Sequence, residues 1–186
     1  YTHQIILNIE QKFFTIIDNK KYVLMKMYNE MIDKVTKRML LLFTEETSYI
    51  LKNYTNKISW KDLWKQKIDY FEYQLNEFGK KFTNLRKSFN YFVGMAENAI
   101  AYFNSIIFDT NYKYTLGHKK IRFDDSVDCL YNPLNITFDY KVRDVSEYIK
   151  NSFFNNNQNI FYELIIYLNK EQLSLMEVKL LISRLL

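Results

Sequence analysis

The sequence predicts a mainly all-α fold. A long antiparallel helical hairpin or coiled-coil arm occupies residues 1–108, a loop-rich insert suited to a short β-hairpin follows over 109–140, and C-terminal helices over 141–186 pack on the base of the hairpin. Three observations carry this prediction. The 186 residues include only 3 Gly and 1 Pro, too few breakers to punctuate a many-stranded sandwich or barrel. Apolar residues recur at alternating steps of four and three from Trp64 to Ile106 without a miss, a heptad seam longer than the roughly three or four repeats that mark a coiled coil. Helical periodicity then disappears between Asp109 and Tyr140, where short alternations replace it.

Each element has its own signal. Ile6, Ile9, Phe13 and Ile16 step by three and four and predict a first helix, which either breaks from the next at Asp18-Asn19 or runs on through the pair, continuity being favoured because such a pair costs little in a helix held by packing. Leu24, Met27, Met31, Val35, Met39 and Leu42 predict a second helix, between Tyr22 and Leu51. The short polar connection over 52–57 makes it the antiparallel neighbour of a third. This third helix is the dominant one, from Ser59 to Phe108, with Ser59 as N-cap and Asp62 complementing the helix dipole. At ~1.5 Å per residue it would extend roughly 75 Å. Lys65, Lys67, Glu72, Lys81 and Arg86 flank its seam in the first half and suit water, whereas Val93, Met95, Ile100 and Ile107 widen the apolar stripe in the second. The first half therefore reads as a two-helix arm and the second as part of a thicker body. In the insert, Gly117 and Asn132-Pro133 separate alternating runs such as Val127, Cys129, Tyr131 and Ile136, Phe138, Tyr140. Helical pattern returns over 142–154, breaks at Asn155 to Asn159, and resumes over 160–168 and 173–186.

At 48% hydrophobic the chain can bury a real core. A net charge of +5 permits contact with phosphates or acidic lipid headgroups. The candidate interaction surface is the basic strip Lys65, Lys67, Lys80, Lys81, Arg86 and Lys87, with Tyr70, Tyr73 and Tyr91 near enough to stack on bases. Asp69, Glu72 and Glu77 dilute that strip and weaken the field that phosphate contact needs. Cys129 stands alone, so no internal disulfide forms, and an intracellular, reducing compartment is favoured. No apolar run approaches the ~20 residues that span a bilayer. The chain opens on Tyr1 and stops at Leu185-Leu186 within an apolar helical pattern, which reads as an excerpt of a longer protein.

Signals for chemistry are sparse. Gly79, Gly94 and Gly117 lie too far apart for a Gly-rich phosphate loop. Asp124, Asp125 and Asp128 cluster near Arg122 and His118, but lack the alternating spacing and the Gly of a calcium loop, so they read as a solvated, salt-bridged turn. His118 acting with Asp124 or Asp125 is the acid–base alternative. Cys129 sits in an alternating apolar run and reads as a packed thiol. No catalytic residue, cofactor, metal or small-molecule substrate is implied. The sequence thus favours a structural or protein–protein interaction module, a spacer, adaptor or docking surface in a larger assembly that meets a protein partner or a second copy of itself. The alternatives are nucleic-acid or acidic-membrane binding through the basic strip, and an enzyme with its site in the 118–128 insert.

Overall fold

The computed structural model describes residues 3–27, 34–46, 59–122 and 124–186. Among them the chain forms six α-helices and three two-stranded antiparallel sheets, a mixed α/β fold that corrects the predicted all-α coiled-coil architecture.

The first correction lies at the N-terminal end. Asp18 and Asn19 both adopt positive φ, 50° and 58°, which Asp and Asn tolerate better than other non-glycine residues and which two-residue hairpin turns require. They reverse the chain between β2 (Thr15–Ile17) and β3 (Lys20–Tyr22), pairing Ile17 with Lys20 and Thr15 with Tyr22. Just beyond, β1 (Gln4–Ile6) pairs with β4 (Leu24–Lys26), with Gln4 opposite Lys26. The three-and-four spacing of Ile6, Ile9, Phe13 and Ile16 therefore marks no helix. Thr15, Ile16 and Ile17 are β-branched and fit the extended backbone better. His3 fastens this ribbon to the rest, its backbone N–H donating to the Tyr131 carbonyl at 2.9 Å. Of the helix predicted over 22–51, α1 (Lys37–Glu46) covers Met39 and Leu42, whereas Leu24 belongs to β4. Met31 and the connection over 52–57 lie outside the described residues.

The second correction concerns the long rod. Its start is where the sequence places it, although the Ser59 side chain makes no capping bond; the Ser59 carbonyl instead accepts from the N–H groups of Asp62 and Leu63. The rod breaks in the middle. Helix α2 (Trp60–Phe78) stops, Gly79–Lys81 make a 3-10 turn, Phe82 leaves helical space at φ −123°, ψ 69°, and α3 (Thr83–Asn104) begins. The ring of Trp64 near the start of α2 lies 5.9 Å from that of Phe103 near the end of α3, so the helices run antiparallel. The hairpin is thus built from the two halves of the predicted rod, which face each other. A straight rod would leave its apolar seam in water, and folding it back removes part of that seam at the cost of one turn. Gly79 suits the bend because a Cβ there would meet Leu75 Cδ1 at 2.8 Å.

The core gathers at the open end of this hairpin. Trp60, Phe103 and Ile106 pack with Val35 and Leu40 and with apolar residues of α4 (Arg143–Phe154), α5 (Ile160–Lys170) and α6 (Leu175–Leu185). Trp60, at 1% exposed, is the anchor, touching the rings of Trp64, Phe103 and Tyr140. Strand β5 (Thr115–His118) pairs with β6 (Ile136–Asp139), with Thr115 opposite Asp139 and His118 opposite Ile136. The intervening Val127–Tyr131 run forms a 3-10 turn, not a strand. Helix α6 opens on a reciprocal cap, the Ser174 hydroxyl accepting from the Glu177 N–H and the Glu177 carboxylate from the Ser174 N–H. Among the described residues no helix is long and apolar enough to cross a membrane.

Candidate functional site

Two features stand out, one polar and closed, the other apolar and open. The polar one joins β5, β6 and the start of α4. His118 and Asp144 are 0% and 1% exposed. The imidazole Nδ1 lies 2.6 Å from Asp144 Oδ2 and Nε2 lies 3.0 Å from the Leu130 carbonyl. Both neighbours are acceptors, so the ring satisfies them together only by carrying both protons. Burial lowers the imidazole pKa, but the Asp144 hydrogen bond and charge, aided by the Leu130 carbonyl, more than offset it and hold the pKa above its ordinary value. The other Asp144 oxygen accepts from the His118 N–H at 2.9 Å. Gly117 leaves room for this carboxylate, since a Cβ there would meet Oδ1 at 3.1 Å.

Arg143 extends the network. It donates through Nε to the His118 carbonyl at 2.8 Å and through Nη1 to Asp139 Oδ2. Asp139 also accepts from the Trp60 indole at 3.2 Å and from the Tyr140 N–H at 2.8 Å. Chemically this is a clamp that fixes the small sheet to α4 and to the base of α2. Neither carboxylate presents a free face to a substrate.

The open feature is the hairpin groove. Helices α2 and α3 turn their seams toward each other without closing over them, and Phe71, Phe78, Phe82, Leu85 and Phe92 are each 51–57% exposed. Two adjoining cavities of about 320 and 390 Å³ result, sharing Phe71, Phe89 and Phe92. The cavity toward the tip is walled by Leu75, Phe78, Phe82 and Leu85. That toward the body adds Lys67, Lys150 and Arg184. Among the described residues no acidic side chain lines either cavity. Glu147, behind them, accepts from Arg184 Nε at 2.8 Å and pairs with Lys150 Nζ at 3.0 Å. Burial raises the Glu147 pKa, yet Arg184 and Lys150 outweigh it and hold the carboxyl below its ordinary value. The Arg184 guanidinium also stacks 4.3 Å from the centre of the Trp60 ring, tying the groove floor to the core.

The fold divides the predicted basic strip. Lys67 lines the groove beside Lys150 and Arg184, and Lys65 lies a half-turn away on α2. Lys80 and Lys81 occupy the tip turn, and Arg86 and Lys87 the first turns of α3. His118 meets Asp144, where the sequence reading paired it with Asp124 or Asp125. Asp124 is exposed, and Asp125 accepts from the Arg122 N–H at 2.8 Å. Cys129 is half-buried. Sequence reasoning overlooked Trp60, Asp139, Arg143 and Asp144; the available signal was the i, i+4 pair Asp139–Arg143 at a strand-to-helix junction, followed by an acidic residue in the first helical turn.

Comparison with known proteins supplies the lineage. Residues 1–186 match the family model described as "Spore coat putative kinase YutH". The "Endospore coat-associated protein YutH" of Bacillus subtilis (strain 168) is 30% identical over 146 residues, covering 68% of this chain and 42% of that protein. The chain thus spans less than half the length of this curated relative. No solved structure matches. With the family model matched along all 186 residues, the chain belongs to the spore coat YutH family.

Proposed function

We propose that this protein acts in the spore coat as a protein-interaction module that docks a partner along the groove between α2 and α3. The observation that carries the reading is the open seam, where Phe71, Phe78, Phe82, Leu85 and Phe92 keep more than half of their surface in water. Contiguous apolar surface of this kind on a folded protein marks an interaction site. The coat setting comes from the relative's name, which calls that protein endospore coat-associated. In the test, Phe78→Glu/Leu85→Glu is introduced into the full-length protein in a spore-forming host lacking its own copy, and coat extracts are compared. The paired variant leaves the coat fraction while accumulating normally in the mother cell. Retention in the coat at the unmodified level rejects groove docking.

A second reading, phosphoryl transfer, is motivated by the word kinase in the family description. The buried carboxylates Asp139 and Asp144 are occupied by Arg143, Trp60 and His118, which favours a binding role over catalysis by either. Calorimetric titration of the full-length protein with a magnesium nucleotide separates the readings. Saturable heat that survives Phe78→Glu/Leu85→Glu supports the enzyme.

A further inference from the structure

We infer that the occupant of the groove is an amphipathic helix from a partner protein, with an apolar stripe bracketed at both ends by acidic residues. The inference rests on the proposed docking function and adds the chemistry of the partner. Shape comes first. The paired cavities form one trough from Trp64 to Gly79 on the α2 side, about 22 Å long at the helical rise, which matches roughly four turns of a bound helix. A concave trough walled by aromatic rings takes a rod whose anchors recur every three or four residues. A flat lipid surface would leave its floor unfilled.

Charge then selects the rod. The tip cavity is lined by no charged side chain, being walled by Phe71, Leu75, Phe78, Phe82, Leu85 and Phe89. At the body end stand Lys67, Lys150 and Arg184, and Glu147 offsets only one of these three charges. At the tip turn stand Lys80 and Lys81, both exposed, and Arg86 and Lys87 follow in the first turns of α3, against the exposed Glu77 in the last turn of α2. Both ends are therefore basic. A second copy laid groove to groove would set basic ends against basic ends whether its hairpin ran parallel or antiparallel, and like charges facing each other oppose association. A helix carrying Asp or Glu outside its apolar stripe meets the opposite sign at each end.

The experiment measures binding of three labelled synthetic helices to the full chain by fluorescence anisotropy. They share one apolar stripe and carry Glu, Gln or Lys at the flanks. The Glu-flanked helix binds about tenfold more tightly than the Gln-flanked one at low salt, as two or three partly exposed ion pairs allow, and the Lys-flanked helix binds weakest. The advantage collapses in high salt and in Lys67→Glu/Lys81→Glu, whereas Phe78→Glu/Leu85→Glu abolishes binding of all three. Equal affinities, or no binding at all, overturn the inference. So does self-association on sedimentation, or co-sedimentation with phosphatidylglycerol vesicles, that Phe78→Glu/Leu85→Glu removes. If that variant leaves the coat while the helices show no preference, the docking function stands and the acidic partner falls. If it stays in the coat, both fall.

Discussion

His118, the acid–base candidate of the sequence, is fully buried within a hydrogen-bonded network. Its ring sits between two acceptors with no surface in water, so the doubly protonated form is the bound one and its pKa is raised above the ordinary 6.5. A group whose folded pKa is raised binds its proton more tightly in the native state. Its contribution is therefore fully present below about pH 6.5, the unfolded value, and is lost as pH rises through the folded pKa above that. The urea midpoint of the unmodified protein should fall across that interval. Asp144→Asn removes the charge that holds the proton; it should lower stability by about 3 kcal/mol, the order of cost for breaking a buried pair, and flatten the pH dependence. A variant retaining the full slope would show that another group titrates there.

At the scale of elements, stability is local and separable. The reciprocal Ser174–Glu177 cap satisfies two N–H groups that the first turn of α6 leaves free. Ser174→Ala should cost about 1 kcal/mol, read as a lower urea midpoint with an unchanged denaturant slope. Trp60→Ala, which empties the place where α2 meets Phe103, Tyr140 and Arg184, should cost three to four times as much. Legibility in the sequence follows the same division. The start of α2 and the C-terminal helices announce themselves because a single apolar stripe and a nearby breaker decide them. The ribbon over 4–26 does not, because Ile6, Ile9, Phe13 and Ile16 satisfy a helical step by coincidence, and the deciding fact is the positive φ at Asp18 and Asn19. The break at Gly79 was hidden for a different reason. A heptad seam is equally continuous along one rod and across two helices folded on each other, so periodicity alone cannot place the bend. Of the residues around the groove, the sequence singled out Lys67 but not Lys150 or Arg184, and it could not show the groove itself, which exists only once α3 has folded back on α2.

For the whole molecule, burial is uneven. The core draws α1, α4, α5, α6 and the hairpin base around Trp60, while the hairpin carries its remaining aromatic seam away from that core. If those rings belonged to the packed interior, charging them would unfold the protein, since an unpaired buried charge costs several kcal/mol. If they form an outer trough, the same change is nearly neutral for folding and large for surface hydrophobicity. Phe78 and Leu85 are 53% and 51% exposed, so Phe78→Glu/Leu85→Glu should shift the melting temperature by no more than about 4 °C, the displacement expected for a change near 1 kcal/mol in a chain of this size. Fluorescence of a hydrophobic dye in the presence of the folded protein should fall by roughly half, because the two substitutions open the tip cavity to water. A collapse of the melting transition would place the seam in the core and remove the trough, and unchanged dye fluorescence would place the exposed apolar surface elsewhere. A small thermal shift with a large optical one is the signature of an interaction surface borne on an independently stable body.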